Sequence, residues 1–436
     1  MSKPGTTPRG RRPLHSRIFY GMVAGVGLGV AANFAAARAG GQERLLWLIN
    51  NVTYPAGQIF LRLIFMVVIP LILSALILGV AELGDVRRLG RIGLRTLLFT
   101  LVLSSVSVLI GISLANLIRP GEGLSPESRR ALTEVMHKAE GGLQAPPVAK
   151  TGLQIFLDLI PQNPIESMVN AFRGDMIAVM VFALVIGIAL TLVERRTVEP
   201  LLVWLQAVNE VVMKVIALAM ELAPYGVAAL LFTLTARSGV DVLQKLALYM
   251  LTVLVGLALH QFVTYSIVVR YVAGYSPLLF FKRLREVMLT AFSTSSSNAT
   301  LPVTLRAAEE DLGIPRTIAG FVLTLGSTLN QNGTALYEGI TVLFLAQFFD
   351  VHLSLGGQVT VVLLSILSGI GTAGVPGGSL PLVTALLVTV GVPAQGIGII
   401  IGVDRLLDMC RTVLNVTGDV AVAACVARAE GYRLKA

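Results

Sequence analysis

The sequence predicts an all-α integral membrane protein: eight transmembrane helices plus two re-entrant helical hairpins, with an internal repeat in the second half. Three observations predict it. Hydrophobic residues make up 55% of the 436 positions and charged residues only 14%, and the mean hydropathy is +0.79, far from a soluble globular composition. Apolar runs of the ~20 residues needed to cross a bilayer recur along the chain. Near the C-terminus, two stretches gather amides, carboxylates and an arginine inside apolar surroundings: 328–339 (TLNQNGTALYEG) and 404–419 (DRLLDMCRTVLNVTGD). A charged residue at mid-bilayer costs roughly 2.5–3.5 kcal/mol on insertion scales, so such groups persist where they face a cavity or a partner. That is the pattern of a transporter site.

Taken in order, Lys3, Arg9, Arg11, Arg12 and Arg17 precede the first apolar run. Because many further spans follow, this is a cytoplasmic tail and a first membrane helix rather than a cleaved leader. Spans are predicted at 18–37, 47–81, 91–117, 165–193, 199–234 and 240–272. Arg87, Arg88, Arg91 and Arg95 follow the second span, and Lys282, Arg283 and Arg285 follow the sixth. With the N-terminus inside, both connections are inside, as the positive-inside rule requires. The connection 118–150 mixes Arg129, Arg130 and Lys138 with Glu122, Glu127, Glu134 and Glu140, which suits an external loop. Glu210 and Lys214, at i,i+4 in the fifth span, read as a structural ion pair, and Arg62 as a side chain reaching for the interface.

After residue 275 the rhythm changes. Residues 287–305 (VMLTAFSTSSSNATLPVTL) carry charge on both flanks and a hydroxyl-rich centre. A single span would turn those hydroxyls toward lipid. A re-entrant hairpin places its tip where protein or water satisfies the backbone. The same form recurs at 369–381 (GIGTAGVPGGSLP), within the uncharged run 353–403. In each copy a helix bearing polar groups follows about 30 residues later: Pro302 precedes Asn330, and Pro381 precedes Arg411. Paired interrupted segments of this kind are the best sequence pointer to a transporter's binding site.

Other chemistries find little support. The net charge of +9 is gathered in the connections, so nucleic acid is excluded as a partner. Cys410 and Cys425 offer no disulfide framework or CxxC metal site, and His15, His137, His260 and His352 are scattered. Ser295 to Ser297 have no His or Lys base in a motif with them and no GxSxG occurs, which argues against a hydrolase. No enzyme activity and no cofactor is expected.

The motifs Ser295 to Pro302 (SSSNATLP), Asn330 to Thr334 (NQNGT), Gly371 to Gly377 (GTAGVPG) and the helix with Asp408, Arg411, Thr412, Asn415 and Asp419 resemble the glutamate transporter homologue family, the dicarboxylate/amino acid:cation symporters, over nearly the whole chain. The resemblance implies a homotrimer in the bacterial cytoplasmic (inner) membrane, with both termini cytoplasmic, inverted repeats and an elevator-type movement. It implies a cytoplasmic tail at 1–17 and scaffold at 18–90 (spans 1 and 2). Span 3 at 91–117 then belongs to the transport domain, and 118–237 holds the external loop with scaffold spans 4 and 5. The transport domain continues over 238–430 (span 6, hairpin 1, span 7, hairpin 2, span 8), leaving a tail at 431–436.

Charge points to the substrate. Arg411 offers a planar, permanently charged fork for a carboxylate. Asp408, three residues earlier, can accept hydrogen bonds from an ammonium. A ligand satisfying both is aspartate or glutamate; a related C4-dicarboxylate is the alternative, and mutual neutralisation of Asp408 and Arg411 is the bland reading. The resemblance implies that Ser295, Ser297, Thr334, Thr412 and Asn415, with Gln331, Ser379 and the backbone near Val375, complete the substrate site.

Coupling is where the chain departs from that family. Sodium-coupled members typically read NMDGT where this chain has Asn330, Gln331, Asn332, Gly333 and Thr334. At Asn332 an oxygen remains but the negative charge does not. In the third span Thr100 and Leu103 stand where relatives place oxygens, and only Ser104 is kept. A second cation site would use Asn330, Asn415, Asp419 and the Gly326 carbonyl; a third would use Thr328 with carbonyls around Thr372. Sodium dependence is therefore expected to be weak or absent. Glu338 stands where proton-coupled animal relatives also have Glu and is the leading proton-carrier candidate; a hydrogen-bonded structural glutamate is the alternative. Relatives place an arginine beside the substrate-site aspartate at the positions of Ser295 or Met409, and Arg405 is the nearby basic residue left to substitute.

Overall fold

A computed structural model describes residues 14–39, 41–86, 91–123, 160–171, 175–238, 241–371 and 377–435. Among them the chain is helical and holds no strand. The expected tail, Arg87 and Arg88, most of the 118–150 connection, Thr372 and Val375 lie outside the described residues.

Helix α1 (Leu14–Ala39) is followed by α2 (Gln42–Leu48), a π-helical turn at Ile49–Thr53, α3 (Tyr54–Phe65) and α4 (Val68–Val86). The expected span at 47–81 thus widens into a π turn at its start and is interrupted at Met66 and Val67, each a few residues before a proline. Pro70 lacks the N–H that would bond the Met66 carbonyl, and the helix opens at Met66 and Val67. Pro55 sits at the start of α3, directly after the π turn. Next come α5 (Arg91–Ile118), α6 (Pro164–Val169) and α7 (Met176–Leu192). Helix α8 (Arg195–Ser238) runs 44 residues, about 66 Å at 1.5 Å per residue. Helix α9 (Asp241–Leu259), a π turn at His260–Thr264 and α10 (Tyr265–Tyr271) form the sixth predicted span. Five stretches among the described residues are long and apolar enough to cross a membrane: Ser16–Ala36, Gln42–Ala81, Arg91–Ile118, Arg195–Arg237 and Val242–Tyr271.

After α11 (Pro277–Arg283) the chain forms α12 (Arg285–Thr294) and α13 (Ser297–Arg306), 10 residues each and packed on one another. At ~15 Å each, neither could cross a ~30 Å hydrocarbon layer alone. Their junction is built by its hydroxyls. Ser295 takes a left-handed conformation (φ 51°), the Ser296 side chain accepts from the Ala299 N–H at 3.2 Å as an N-cap, and the Thr294 hydroxyl accepts from the Ser296 N–H at 3.3 Å. Helices α14 (Arg316–Leu329) and α15 (Asn332–Phe348) are separated by the non-helical Asn330 and Gln331. Then follow α16 (Leu355–Gly371), α17 (Leu380–Thr389) and α18 (Ile397–Ala429).

Two packing groups arise. Helix α1 lies along α8, which also takes α3 and α4, and α7 packs on α4. The approach of α1 depends on glycine: a Cβ at Gly21 would fall 2.2 Å from the Pro224 carbonyl oxygen, and one at Gly25 2.4 Å from that of Ala228. In the second group α5 packs on α15, and α18 is touched by α9, α12, α13, α14 and α15. At one end, Arg95 Nη1 meets Glu430 Oε1 at 2.6 Å, and Arg283 donates to the carbonyls of Asp311 and Lys435 at 2.6 and 2.9 Å. Glu210 and Lys214 lie exposed on α8 and form no ion pair with one another, contrary to the sequence expectation; among the described residues α8 makes an i,i+4 pair of Arg195 with Glu199 at 3.8 Å.

Candidate functional site

Arg411 lies in the interior at 2% exposure, near the middle of α18. A bare guanidinium there would be very costly, so its surroundings must be charged. Its Nε and Nη2 approach Asp408 Oδ1 at 3.0 and 2.9 Å. Its Nη1 approaches Asp404 Oδ1 at 3.1 Å, and the guanidinium carbon stands 4.2 Å from the centre of the Tyr337 ring. Asp408 and Arg411 pair with one another, but not alone. Asp408 Oδ2 faces outward to two further groups: the Gly377 N–H at 3.3 Å and Arg405 Nη1 at 3.6 Å. Gly377 lies three residues before α17, so the acidic side chain ties α18 to the segment that leads into α17.

The Thr412 hydroxyl donates back to the Asp408 carbonyl at 2.7 Å. One turn further, Asn415 closes a second cluster. Its Oδ1 accepts from the Gly333 N–H at 2.7 Å, and its Nδ2 donates to Gln331 Oε1 and, at 3.3 Å, to Thr334 Oγ1. Gln331 in turn donates to the Ser327 carbonyl at 2.8 Å. These bonds bridge the break between α14 and α15 to α18, and Gly333 is needed there: a Cβ would fall 2.7 Å from the Arg411 carbonyl oxygen. Ser295, Ser297 and Ser379 are buried near the two helix junctions. The hydroxyls of Ser295 and Ser379 have no hydrogen-bond partner among the described residues.

Two further polar clusters lie on the far side of the break. Asn330 Nδ2 donates to Asp419 Oδ1 at 2.9 Å, while the buried Asn330 Oδ1 has no partner among the described residues. Gly326 packs so closely that a Cβ there would stand 2.6 Å from Asp419 Oδ1. Thr328 is half-buried on the same helix. In the other cluster, Ser104 donates to Asn332 Oδ1 at 2.6 Å and Ser107 to the Asn332 carbonyl. Asn332 Nδ2 donates to the Tyr265 hydroxyl at 3.1 Å, and that hydroxyl donates to the Leu414 carbonyl at 3.2 Å. Glu338 is fully buried on α15, accepting from the Ser368 hydroxyl at 2.8 Å with Oε1. Its Oε2 has no partner among the described residues.

Sequence reasoning missed several of these partners. Asp404 could have been found, since a residue seven positions before Arg411 lies two turns away on the same helical face. Tyr337, Tyr265, Ser107 and Ser368 reach the site from other helices, and no local spacing marks them.

Charged groups sunk among helices that break at mid-length, inside an otherwise apolar bundle, are the build of a membrane carrier. The comparisons name the kind: residues 14–429 match the sequence profile of the Sodium:dicarboxylate symporter family, and the chain belongs to that family. It is 35% identical over 423 residues to the proton/sodium-glutamate symport protein of Bacillus subtilis, covering 96% of this chain and 93% of that one. It is 33% identical over 415 residues to the proton/glutamate-aspartate symporter of Escherichia coli, covering 95% and 92%. The C4-dicarboxylate transport protein of Rhodospirillum rubrum is 32% identical over 390 residues, covering 88% and 84%.

Sodium, the ion in the family's description, requires oxygen ligands. Asn330 and Asp419 suit it: an orphaned carbonyl oxygen sits beside a buried carboxylate that no cationic side chain pairs among the described residues. Asn332 does not suit it. Both ends of its amide are engaged by neutral groups, and the atom turned toward Tyr265 is a donor.

Proposed function

We propose that the protein is a secondary active symporter that takes up L-aspartate or L-glutamate across the bacterial cytoplasmic membrane. The observation that carries this is the buried Arg411, held by Asp404 and Asp408 beside the tip at Gly377. In the binding step the guanidinium turns a donor pair to the ligand's side-chain carboxylate. Asp408, whose oxygens have lone pairs to spare, accepts from the ammonium. Thr412, Asn415, Thr334, Gln331, Ser295, Ser297, Ser379 and the backbone near Val375 complete the enclosure. The glutamate and aspartate specificities in the relatives' names support this reading. The relative named for C4-dicarboxylates supports the alternative, which provides no ammonium for Asp408.

The transport cycle we infer is an elevator. Eight transmembrane helices and two re-entrant hairpins make up each subunit of a homotrimer, with both termini cytoplasmic. The scaffold spans 18–90 and 118–237, and the moving part spans 91–117 and 238–430; the two packing groups formed around α8 and around α18 support that division. Sodium dependence is weak or absent, because Asn332 gives no charge where a carboxylate would be required. Asp419, Asn330 and the Gly326 carbonyl would hold a cation if one binds, and Glu338 carries the proton.

Uptake of labelled aspartate into proteoliposomes tests the whole reading. Concentrative uptake that survives replacement of sodium by choline, and that accelerates with an inward proton gradient, is expected. Collapse without sodium overturns the coupling scheme, and downhill equilibration alone overturns symport. Arg411→Ala should abolish aspartate binding by calorimetry; unchanged affinity would defeat the carboxylate assignment.

A further inference from the structure

Residues 430–435 do not trail away from α18. Gly431, at φ 92°, ends the helix. Its N–H donates to the Arg428 carbonyl and the Tyr432 N–H to the Ala427 carbonyl, both at 3.0 Å, the reversal that a left-handed residue allows at a helix C-terminus. Leu434 then packs on the core, and Lys435 reaches the π turn at Ala307–Asp311 that continues α13. The Lys435 N–H donates to the Leu312 carbonyl at 2.9 Å and its Nζ to the Glu310 carbonyl at 2.6 Å. Gly313 makes room for it: at φ 72° the position favours glycine, and a Cβ would fall 2.7 Å from Lys435 Cγ. From the end of α11, Arg283 donates to the carbonyls of both Asp311 and Lys435. The start of the segment is held by α5, where Arg95 Nη1 meets Glu430 Oε1 and the Ala429 carbonyl at 2.6 Å each.

We propose that Glu430 to Lys435 form a strap that fastens the open end of the α12–α13 hairpin to α5 and α18, and so sets how readily the hairpin parts from α18. The two arms meet at the buried Ser295 junction, but their other ends lie at the surface, where an exposed ion pair of Arg306 with Glu286 joins them. Exposed pairs of that kind contribute little. The strap adds an apolar anchor at Leu434 and contacts made largely to backbone carbonyls, at Glu310, Asp311 and Leu312. Backbone partners carry no side-chain signature, which is why no motif marks the contact. The consequence for ligand exchange rests on the functional reading above, in which Ser295 and Ser297 at the junction belong to the ligand enclosure. A hairpin that parts more readily from α18 then releases its ligand sooner.

Two variants of the full-length protein in detergent test the strap. Arg283→Gln loses the guanidinium that joins Asp311 to Lys435, and Lys435→Pro loses both the N–H that Leu312 accepts from and the amine that reaches Glu310. Amide hydrogen exchange, read by mass spectrometry, should quicken about tenfold or more over 300–314 in each variant, while α4 keeps its wild-type rate. The amides of Leu312 and Ile314 donate to the carbonyls of Ala307 and Ala308 and not to the strap, so their faster exchange reports a loosened hairpin rather than a lost bond. Aspartate dissociation, followed by stopped flow, should quicken severalfold, with thermal midpoints near wild type showing that the variants are folded. Unchanged exchange over 300–314 in both variants overturns the strap, and so does faster exchange confined to 430–435, which would make the segment a cap on α18 alone. A looser hairpin with unaltered aspartate dissociation overturns the link to ligand release. Wild type that binds no acidic amino acid overturns the functional reading, and the exchange pattern decides the strap independently.

Discussion

Replacing Asn332 by aspartate should strengthen a sodium dependence that the proposed coupling scheme makes weak or absent in the wild type. In the wild type the amide is satisfied by neutral partners, with Ser104 donating to Oδ1 at 2.6 Å and Nδ2 donating to Tyr265 at 3.1 Å. In Asn332→Asp the Ser104 bond survives, and the Tyr265 hydroxyl can turn from the Leu414 carbonyl, 3.2 Å away, to the new carboxylate oxygen. What remains is a buried charge whose desolvation costs several kcal/mol. A cation at 4 Å returns about 4 kcal/mol at an effective dielectric near 20. The two magnitudes are close, so the variant is marginal without sodium and recovers with it. At a sodium concentration a hundred times its dissociation constant, linkage adds about 2.7 kcal/mol. The assay is the unfolding midpoint of purified protein in sodium chloride and in choline chloride, with aspartate uptake measured in the same two salts. The variant should show a salt-specific rise and sodium-stimulated uptake. If its sodium response matches that of the wild type, the claim that charge at this position decides cation binding is refuted.

Two other outcomes follow from the same geometry. Glu338→Gln replaces a carboxyl whose Oε2 has no partner among the described residues with a group that cannot release a proton. Uptake by this variant should no longer respond to external pH, while the ratio measured at two pH values remains above one in the wild type; equal ratios would remove Glu338 from proton transfer. Gly25→Ala places a methyl 2.4 Å from the Ala228 carbonyl oxygen, and forcing α1 away from α8 should cost about 1–3 kcal/mol, read as a lower thermal midpoint. An unchanged midpoint would show that α1 can shift without loss.

Much of this molecule was legible because the membrane forces polar residues to declare themselves. Asp408, Arg411, Asn415 and Asp419 recur on a helix with no other reason to be polar; Asn415 and Asp419 bond to Gln331 and Asn330 at the break, while Asp408 and Arg411 pair with one another further along the helix. The helix junction at Ser295 was equally readable, since only a non-helical backbone makes sense of so many hydroxyls; its N-cap at Ser296 bears this out. Boundaries were less visible where a proline acts at a distance. The break before Pro70 falls four residues upstream, at the carbonyl left without a donor, inside a run that reads as continuous apolar helix. Partners from other helices were not visible at all. Asn332 reads as a missing charge, yet both ends of its amide are engaged, by Ser104 and Tyr265, because three distant segments meet there.

Under the proposed function, the position of Asp404 accounts for how a permanent cation can be held in the interior and still exchange a ligand. Were Asp408 the sole partner of Arg411, binding a zwitterion between them would require breaking a buried pair. Removing a partner from such a pair costs ~3–5 kcal/mol before any new contact forms. With Nη1 on Asp404 and Nε and Nη2 on Asp408, the guanidinium can release one carboxylate while keeping the other, and the ligand's carboxylate takes the place of the one released. The exchange then runs between states in which the charge is always paired. On this argument Asp404→Asn should slow ligand exchange more than it alters ligand affinity at equilibrium, because it removes the standby partner from both the free and the bound state. Stopped-flow dissociation of aspartate measured beside calorimetry separates the two, and a variant that loses affinity with an unaltered dissociation rate would show that Asp404 belongs to the ligand site itself.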